Sequence, residues 1–351
     1  MKRINVLTYC TYTSIGSILQ AYGLQRQLSN LFYEATVLIE RKENKFVVSK
    51  ITSVKSLCKF IFENTFSKQR KRAYDKRLAF INKNIKVKYF ENYNELLLMS
   101  KEDICDIYLS GSDQVWQPDN CNLAFFLDFV KNQKCISYAA SMGKTIINDD
   151  KKIEFKRLIN NFDYISVRED ECAEVIKEMT EKTVDVHIDP TFLIPVDEWR
   201  KISVPYNIKA PYILLYMLYW DEACKSKIKQ LKKQTGLKVY AIADGLSRVY
   251  ADKVLYDVGI EEFLWLVDHA EYFITSSFHG TAFAAIFNKK FVSVINPSTP
   301  SRIQNLQRKI ALPIIDIEDL ITSEAFDYQL TNQLIETEKI KSIEYLKRVI
   351  E

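Results

Sequence analysis

His279 is one of three histidines in the 351-residue chain, beside His187 and His269. It stands in Thr275-Ser-Ser-Phe-His-Gly280, directly after an apolar run, Tyr272 to Thr275, of strand type. The small residues from Thr281 to Phe287 then predict a helix that packs closely. A strand, a polar turn and a helix N-terminus make an anion site, because the first N–H groups lack intrahelical partners and the dipole points the same way. Ser276, Ser277, Gly280 and Thr281 are therefore candidates to hold an anionic group. An imidazole exchanges protons near neutrality, which makes His279 a candidate acid or phosphate partner. The plain alternative is a hydrogen-bonded histidine that closes a turn.

A second polar group of residues follows the strand Asp106 to Ser110. It is Gly111-Ser-Asp-Gln-Val-Trp116. The Asp113 carboxylate could orient or deprotonate a hydroxyl, and Trp116 could offer an apolar face to a sugar ring. An ordinary turn with Asp113 as a helix cap has the same composition. Two guanidiniums are placed at strand ends: Arg168 after Tyr164 to Val167, and Arg302 in the loop Pro297 to Arg302. Either could hold a phosphate or carboxylate bidentately. Arg168 could instead pair with Glu169 or Asp170. Near the start, Gly16 ends the turn Thr11 to Gly16 and lets a ligand approach the backbone. There is no G-x-G-x-x-G, so a dinucleotide site is weakly supported. His269 sits near the end of a helix, Ile260 to Ala270, where it complements the dipole.

The elements that must position these groups alternate. Strand Ile4 to Tyr9, a helix with Ile18, Leu19, Tyr22, Leu24 and Leu28 on one face, and strand Ala35 to Ile39 open a doubly wound unit. Strands at Cys135 to Ala139 and Val184 to Ile188 extend it. Asp189-Pro-Thr-Phe-Leu-Ile-Pro195 reads as an interdomain linker. The rhythm restarts with strand Tyr212 to Leu218, helix Glu222 to Thr235 ended by Gly236, and strand Lys238 to Ala243. The expected division is an N-terminal Rossmann-like domain over 1–190, a second over 196–334, and a C-terminal helix over 335–351. Residues 41–88 form a basic helical insertion, densest at Lys68-Gln-Arg-Lys-Arg72. They are either a solvated basic face or a surface that meets anionic lipid.

Composition narrows the classes. Apolar residues make up 47% of the chain, enough for a sizeable core, and the net charge of +4 does not imply nucleic acid. Seven scattered cysteines without a C-x-x-C pair suggest neither a disulfide framework nor a zinc site. No ligand cluster suggests any other metal. No run reaches membrane-spanning length and none reads as a signal peptide, so a cytoplasmic protein is expected, with peripheral contact at the inner membrane face through the basic stretch.

Several runs, in this order, resemble the polysaccharide pyruvyl transferase family. They are Leu19-Gln-Ala-Tyr-Gly-Leu-Gln25, Gly111-Ser-Asp-Gln-Val-Trp116, Ile165-Ser-Val-Arg-Glu169, Asp189-Pro-Thr191, Thr275-Ser-Ser-Phe-His-Gly280 and Phe287-Asn-Lys-Lys-Phe291. The similarity spans about residues 4 to 312. It implies an α/β, glycosyltransferase-B-like architecture of two doubly wound domains across a cleft. It also implies transfer from phosphoenolpyruvate to two hydroxyls of a sugar, with formation of a cyclic ketal and release of phosphate. No cofactor beyond that donor is expected. The acceptor would be a cell-surface glycan precursor of a bacterium, for capsule or exopolysaccharide, carried on a polyprenyl diphosphate. On this reading His279 and Asp113 are catalytic. Arg168, Ser276, Ser277, Gly280, Thr281 and Arg302 hold the donor, and Ser14, Gly16, Gln20, Ser112, Gln114 and Trp116 face the acceptor. The chain departs from the family at Ser277, where many relatives carry Arg; Arg302 or Arg168 would have to supply that cation. Two alternatives stay open: a nucleotide-sugar transferase using Glu261 and Glu262 for ribose, and a catalytically silent member of a glycan assembly complex.

Overall fold

The computed structural model describes all residues except 42–53, 103–104, 220–221, 244–249, 298–299 and 324–325, and of residues 54–67 it describes the backbone alone. It contains two five-stranded parallel sheets. The first comprises β1 (Arg3–Leu7), β2 (Glu34–Glu40), β3 (Val87–Phe90), β4 (Ile107–Ser110) and β5 (Lys134–Ser137), in the order β3-β2-β1-β4-β5. Around it lie α1 (Ile15–Asn30), α2 (Val54–Asn84), α3 (Tyr93–Glu102), α4 (Asp149–Ile159) and α5 (Asp170–Met179). A short parallel pair, β6 (Ile165–Val167) and β7 (Val184–Val186), continues its β5 edge through bridges from Ile136 to Tyr164 and from Ala140 to Val167.

The second sheet comprises β8 (Tyr212–Tyr216), β9 (Lys238–Ile242), β10 (Lys253–Leu255), β11 (Tyr272–Thr275) and β12 (Lys290–Ser293), in the order β10-β9-β8-β11-β12. The helices that follow in the chain are α6 (Val196–Ile202), α7 (Ala223–Thr235), α8 (Ile260–Asp268), α9 (Phe278–Ile286), α10 (Pro300–Lys309) and, last, α11 (Gln329–Ile350). Every residue of β4, β8 and β11 is buried. Strands covered on both faces by crossover helices need such unbroken apolar runs. In both sheets the order reverses beside the first strand, between β1 and β4 and between β8 and β11. Ligands of open α/β sheets bind outside the strand ends at such points.

Three features go beyond the reading of the sequence or differ from it. The Asp189–Pro195 connection, read as an interdomain linker, is buried as far as Ile194. Pro190–Leu193 is a buried 3-10 turn capped by Asp189, whose carboxylate accepts from Thr191 N. Its burial follows from Phe192, Leu193 and Ile194, which join one apolar cluster running from β1 and α1 to β8, α8, α9 and α11. Gly23 of α1 makes this contact close: a Cβ there would lie 2.7 Å from Pro190 O.

Within the basic stretch, the apolar side chains at 51–62 fall outside the described residues. Farther along α2, positive charge holds the two halves together. Lys76 Nζ donates to Asp257 O at 2.9 Å and to Glu262 Oε1 at 2.6 Å. Arg77 is buried and donates through Nε and Nη2 to Val258 O at 3.1 and 3.0 Å. Charged side chains are tolerated inside a protein when paired in this way. Lys68, Lys71 and Arg72 remain exposed. Among the described residues, no helix is long and apolar enough to cross a membrane.

The last helix begins six residues earlier than expected and returns to the N-terminal sheet. Tyr345 Oη donates to Ser137 O at 2.9 Å, Lys134 Nζ to Val349 O at 3.1 Å, and Lys2 Nζ to Ile350 O at 2.5 Å. Tyr345 also packs on His187, with ring centroids 4.4 Å apart. His187 Nδ1 and Ser166 Oγ are hydrogen-bonded at 2.8 Å.

Two outcomes follow. Replacing Arg77 by Met strands the Val258 carbonyl, and chemical denaturation should show a loss of about 2 kcal/mol; an unchanged midpoint would mean that the clamp carries no stability. For His187, burial first, and then Lys309, Arg348 and Lys341, lower the pKa from 6.5 to about 3. The unfolded chain then takes up the proton first. Stability from this group is full above pH 6.5 and declines as pH falls toward 3, by roughly 2 kcal/mol between pH 7 and 5. Thermal melts against pH should show this slope, and His187→Asn should flatten it.

Candidate active site

The β11–α9 turn brings the most chemistry to one place. β11 ends at Thr275, whose Oγ1 donates to Tyr216 O at 2.8 Å and accepts from Ser277 N at 3.1 Å. Ser277 is the N-cap of α9, its Oγ accepting from Gly280 N at 3.2 Å. The helix therefore starts at Phe278, earlier than the small-residue run indicated, and His279 lies in its first turn. Gly280 allows the tight strand-to-helix return, since a Cβ there would meet Thr275 Oγ1 at 2.2 Å. Ser276 Oγ accepts from Tyr219 N at 2.8 Å, and Thr281 Oγ1 bonds to Ser277 O and Ser293 Oγ at 3.1 and 2.7 Å. The hydroxyls proposed as donor ligands thus build the turn.

His279 is 7% exposed and faces the N-terminal half. Its Nε2 lies 3.6 Å from Asp189 Oδ2, an ion-pair distance that is too long for a hydrogen bond. The same Oδ2 accepts from Arg168 Nη1 at 2.8 Å and from Ser112 Oγ at 3.2 Å, while Oδ1 accepts from Thr191 N and Oγ1 at 3.0 and 2.9 Å. Burial alone would raise the Asp189 pKa. His279, Arg168 and the Thr191 N–H outweigh it and hold the carboxyl well below the usual range.

Arg168 bridges several groups. Its Nε donates to Glu169 Oε1 at 3.0 Å, and its guanidinium lies 3.9 Å from the Phe278 ring centroid, next to His279. It thus pairs with Glu169 and Asp189, and not with Asp170. Burial works against its charge, but Glu169, Asp189 and Asp113 raise its pKa. Its Nη2 is buried and has no hydrogen-bond partner among the described residues.

Arg302 does not end a loop; it lies in the first turn of α10. With the Gln114 carboxamide oxygen turned toward it, Nη1, Nε and Nη2 lie 3.0, 3.1 and 3.2 Å from that oxygen. Burial first, and then Arg168, push the Arg302 pKa down, against Asp113 and Glu169. Arg168, Asp189, Phe278, Arg302, Asn305 and Lys309 line a cavity of about 10 Å³, room for one water at most. The α5 and α10 ends close over it: Asn305 Nδ2 donates to Asp170 and Glu171, and Arg308 pairs with Glu171.

The acceptor-side candidates divide. Asp113 is partly exposed in the left-handed region at φ 76°, a conformation that Asp tolerates better than most residues. Its carbonyl accepts from Val115 N and Ser141 N, so no helix begins there and the cap reading is replaced by a strained turn. Trp116 is 0% exposed, stacked with Phe126 and edge-on to Phe162, and has no face for a sugar. The large indole is core because the rings around it come from segments distant in sequence. Gln20 is also buried, donating to Thr8 Oγ1, Tyr9 O and Ser17 O. Ser14 caps α1 through Ser17 N, and Ser112 is taken by Asp189. Gly16 meets the His279 ring, not open space: a Cβ there would lie 2.2 Å from Nδ1.

An open cavity of about 510 Å³ lies beyond the same β1–α1 loop, lined by Cys10 to Thr13, Ile39 to Arg41, Leu78, Ile81, Asn82, Tyr89 and Glu91. Sequence reasoning missed Asp189, Lys309 and this cavity. The Asp-Pro-Thr run carried a signal for the first, since an Asp before Pro caps a turn. Glu261 and Glu262, weighed as ribose ligands, face α2: Glu262 pairs with Lys76 and accepts from Gly259 N, and Glu261 lies 4.0 Å from Lys83. His269 caps α8 and stacks on Trp265. No metal-binding group of side chains is found among the described residues.

A family model described as polysaccharide pyruvyl transferase matches residues 15–298. The chain belongs to the polysaccharide pyruvyl transferase family. Among curated proteins, none gives a significant match. Similar solved structures include S. aureus MnaA with UDP, at 13% identity and TM-score 0.59, with 99% of this chain and 98% of that one covered. UDP-GlcNAc 2-epimerase from Neisseria meningitidis, bound to UDP-GlcNAc, aligns at 12% identity and TM-score 0.52, covering 97% and 100%. Arabidopsis thaliana UGT89C1 complexed with quercetin aligns at 10% and 0.50, covering 98% of each chain. These likenesses establish a glycosyltransferase-B-like fold with two Rossmann-like halves.

Ser277 has a structural duty in this family member. Ser277→Ala should cost about 1 kcal/mol by thermal or chemical denaturation; an unchanged stability would show that the cap is dispensable.

Proposed function

We propose that this transferase takes its pyruvyl group from phosphoenolpyruvate and places it as a cyclic ketal on two hydroxyls of a glycan precursor. The observation that carries the reading is the gathering of Arg168 and Arg302 around Phe278, the residue before His279. One guanidinium has a buried donor without a hydrogen-bond partner, and the other is disfavoured by burial and by its neighbour. A small ligand with both a carboxylate and a phosphate relieves both. Arg168 and Arg302 replace the cation that Ser277 does not provide.

In the reaction, His279 delivers a proton to C3 of the enol, turning the methylene into a methyl and leaving C2 electrophilic. A sugar hydroxyl attacks C2 and gives up its proton to Asp113. The C2–O bond to phosphate breaks, and phosphate leaves with its electron pair. The second hydroxyl closes the ketal and its proton passes to the released phosphate. The cavity between Arg168 and Arg302 is too small for the donor, so on this reading the two halves part to admit it and close again. The acceptor approaches from the 510 Å³ cavity on the other side of the β1–α1 loop. We place this work on the cytoplasmic side, on an acceptor borne by polyprenyl diphosphate, with the exposed Lys68, Lys71 and Arg72 meeting anionic headgroups.

The test is phosphate release from phosphoenolpyruvate with a panel of glycosides. Acceptor-dependent release, with a product heavier by a pyruvate ketal, is expected. His279→Ala should reduce the rate by two to four orders of magnitude. A thermal shift with nucleotide-sugars and none with phosphoenolpyruvate would overturn the reading in favour of glycosyl transfer.

A further inference from the structure

His279 belongs to the second sheet, yet both sides of its ring are bounded by the first half of the chain. On one side is the buried carboxylate of Asp189, 3.6 Å from Nε2. On the other is Gly16, where the space that any Cβ would fill is already taken by Nδ1, at 2.2 Å, and Cγ, at 2.6 Å. Gly16 is the second residue of α1 and needs no positive φ, so local backbone geometry does not demand glycine there. The ring does. Asp189 is in turn held by Arg168, Ser112 and Thr191.

We propose that Gly16 and Asp189 are positioning residues that clamp the His279 imidazole only when the two halves of the protein are closed. The proposal rests on the pyruvyl-transfer reading for its catalytic purpose, but the clamp itself is a matter of contact. When the halves part to admit the donor, His279 leaves both partners with its own sheet. On closure the ring is wedged against α1, with Nε2 facing the carboxylate. The ring is then oriented on the carboxylate that Arg168 also holds. An imidazole that is correctly placed only in the closed state restrains the enol protonation until the donor is enclosed, which disfavours loss of the pyruvyl group to water. Two charged groups near the ring come from other elements: Asp189 itself, and Arg168, which reaches Phe278 from the end of β6.

The experiment is a pair of double-mutant cycles, Gly16→Ala with His279→Ala and Asp189→Asn with His279→Ala, read by melting temperature and by phosphate release. Gly16→Ala should lower Tm by several degrees when His279 is present and leave it unchanged or raised in the His279→Ala background, where the ring is gone. Both single variants should lower kcat by on the order of 100-fold, with KM for phosphoenolpyruvate changed far less. Equal Tm effects of Gly16→Ala in both backgrounds would overturn the contact. Unchanged kcat in Gly16→Ala and Asp189→Asn, beside a His279→Ala variant that is inactive, would overturn the positioning role and leave the pyruvyl reading intact. Coupled Tm effects in a protein that never releases phosphate would instead overturn that reading and leave the clamp as a device of the fold. Should Asp189→Asn fail to fold, Gly16→Ala tests the clamp without touching the carboxylate.

Discussion

A carboxylate without solvent governs the centre of this protein. Asp189 is 1% exposed, and a charge in that position is tolerated only if every lone pair is engaged. Thr191 supplies two donors from the turn that follows, Ser112 one from the end of β4, and Arg168 one from the end of β6. His279 arrives from the second sheet. Removing any of these would leave charge behind in a low-dielectric interior. The strand ends, the buried 3-10 turn and the first turn of α9 are thereby held in one arrangement, and the Arg168 guanidinium is laid across Phe278.

The same logic applies to the two halves as a whole. They share an apolar cluster, and charge ties them together at several places: α2 to α8, α5 to α10, and α11 back to β5 and β7. Exposed pairs of this kind contribute little each. The buried Arg77 contributes more, because a stranded carbonyl would remain without it. Many weak polar contacts and one buried ion pair thus join the halves.

Much of the fold was legible in the residues. β11 was read with both ends correct, and the apolar runs of β1, β4, β8 and β9 were found to within a few residues, because buried parallel strands need unbroken apolar sequence. Gly236 marked the end of α7 through its left-handed conformation. Boundaries failed where side chains compete with the backbone. Ser277 starts α9 earlier than the small residues suggested, and Pro300 opens a helix where two prolines had indicated a loop.

For the site, residue types and local order determined that His279 follows a strand at a helix start, that Asp113 lies in a polar turn beyond β4, and that Arg168 stands at a strand tip. Those are consequences of nearest-neighbour geometry, which a sequence carries by itself. Tertiary structure alone decided their partners. Trp116 became core because Phe126 and Phe162 surround it. Gly16 faces an imidazole more than two hundred and fifty residues away, and Asp189 became the hub because two strand ends, a 3-10 turn and a helix converge on it. Burial and electrostatic pairing are sums over everything nearby in space, and spatial neighbours distant along the chain leave no mark on any one stretch of it.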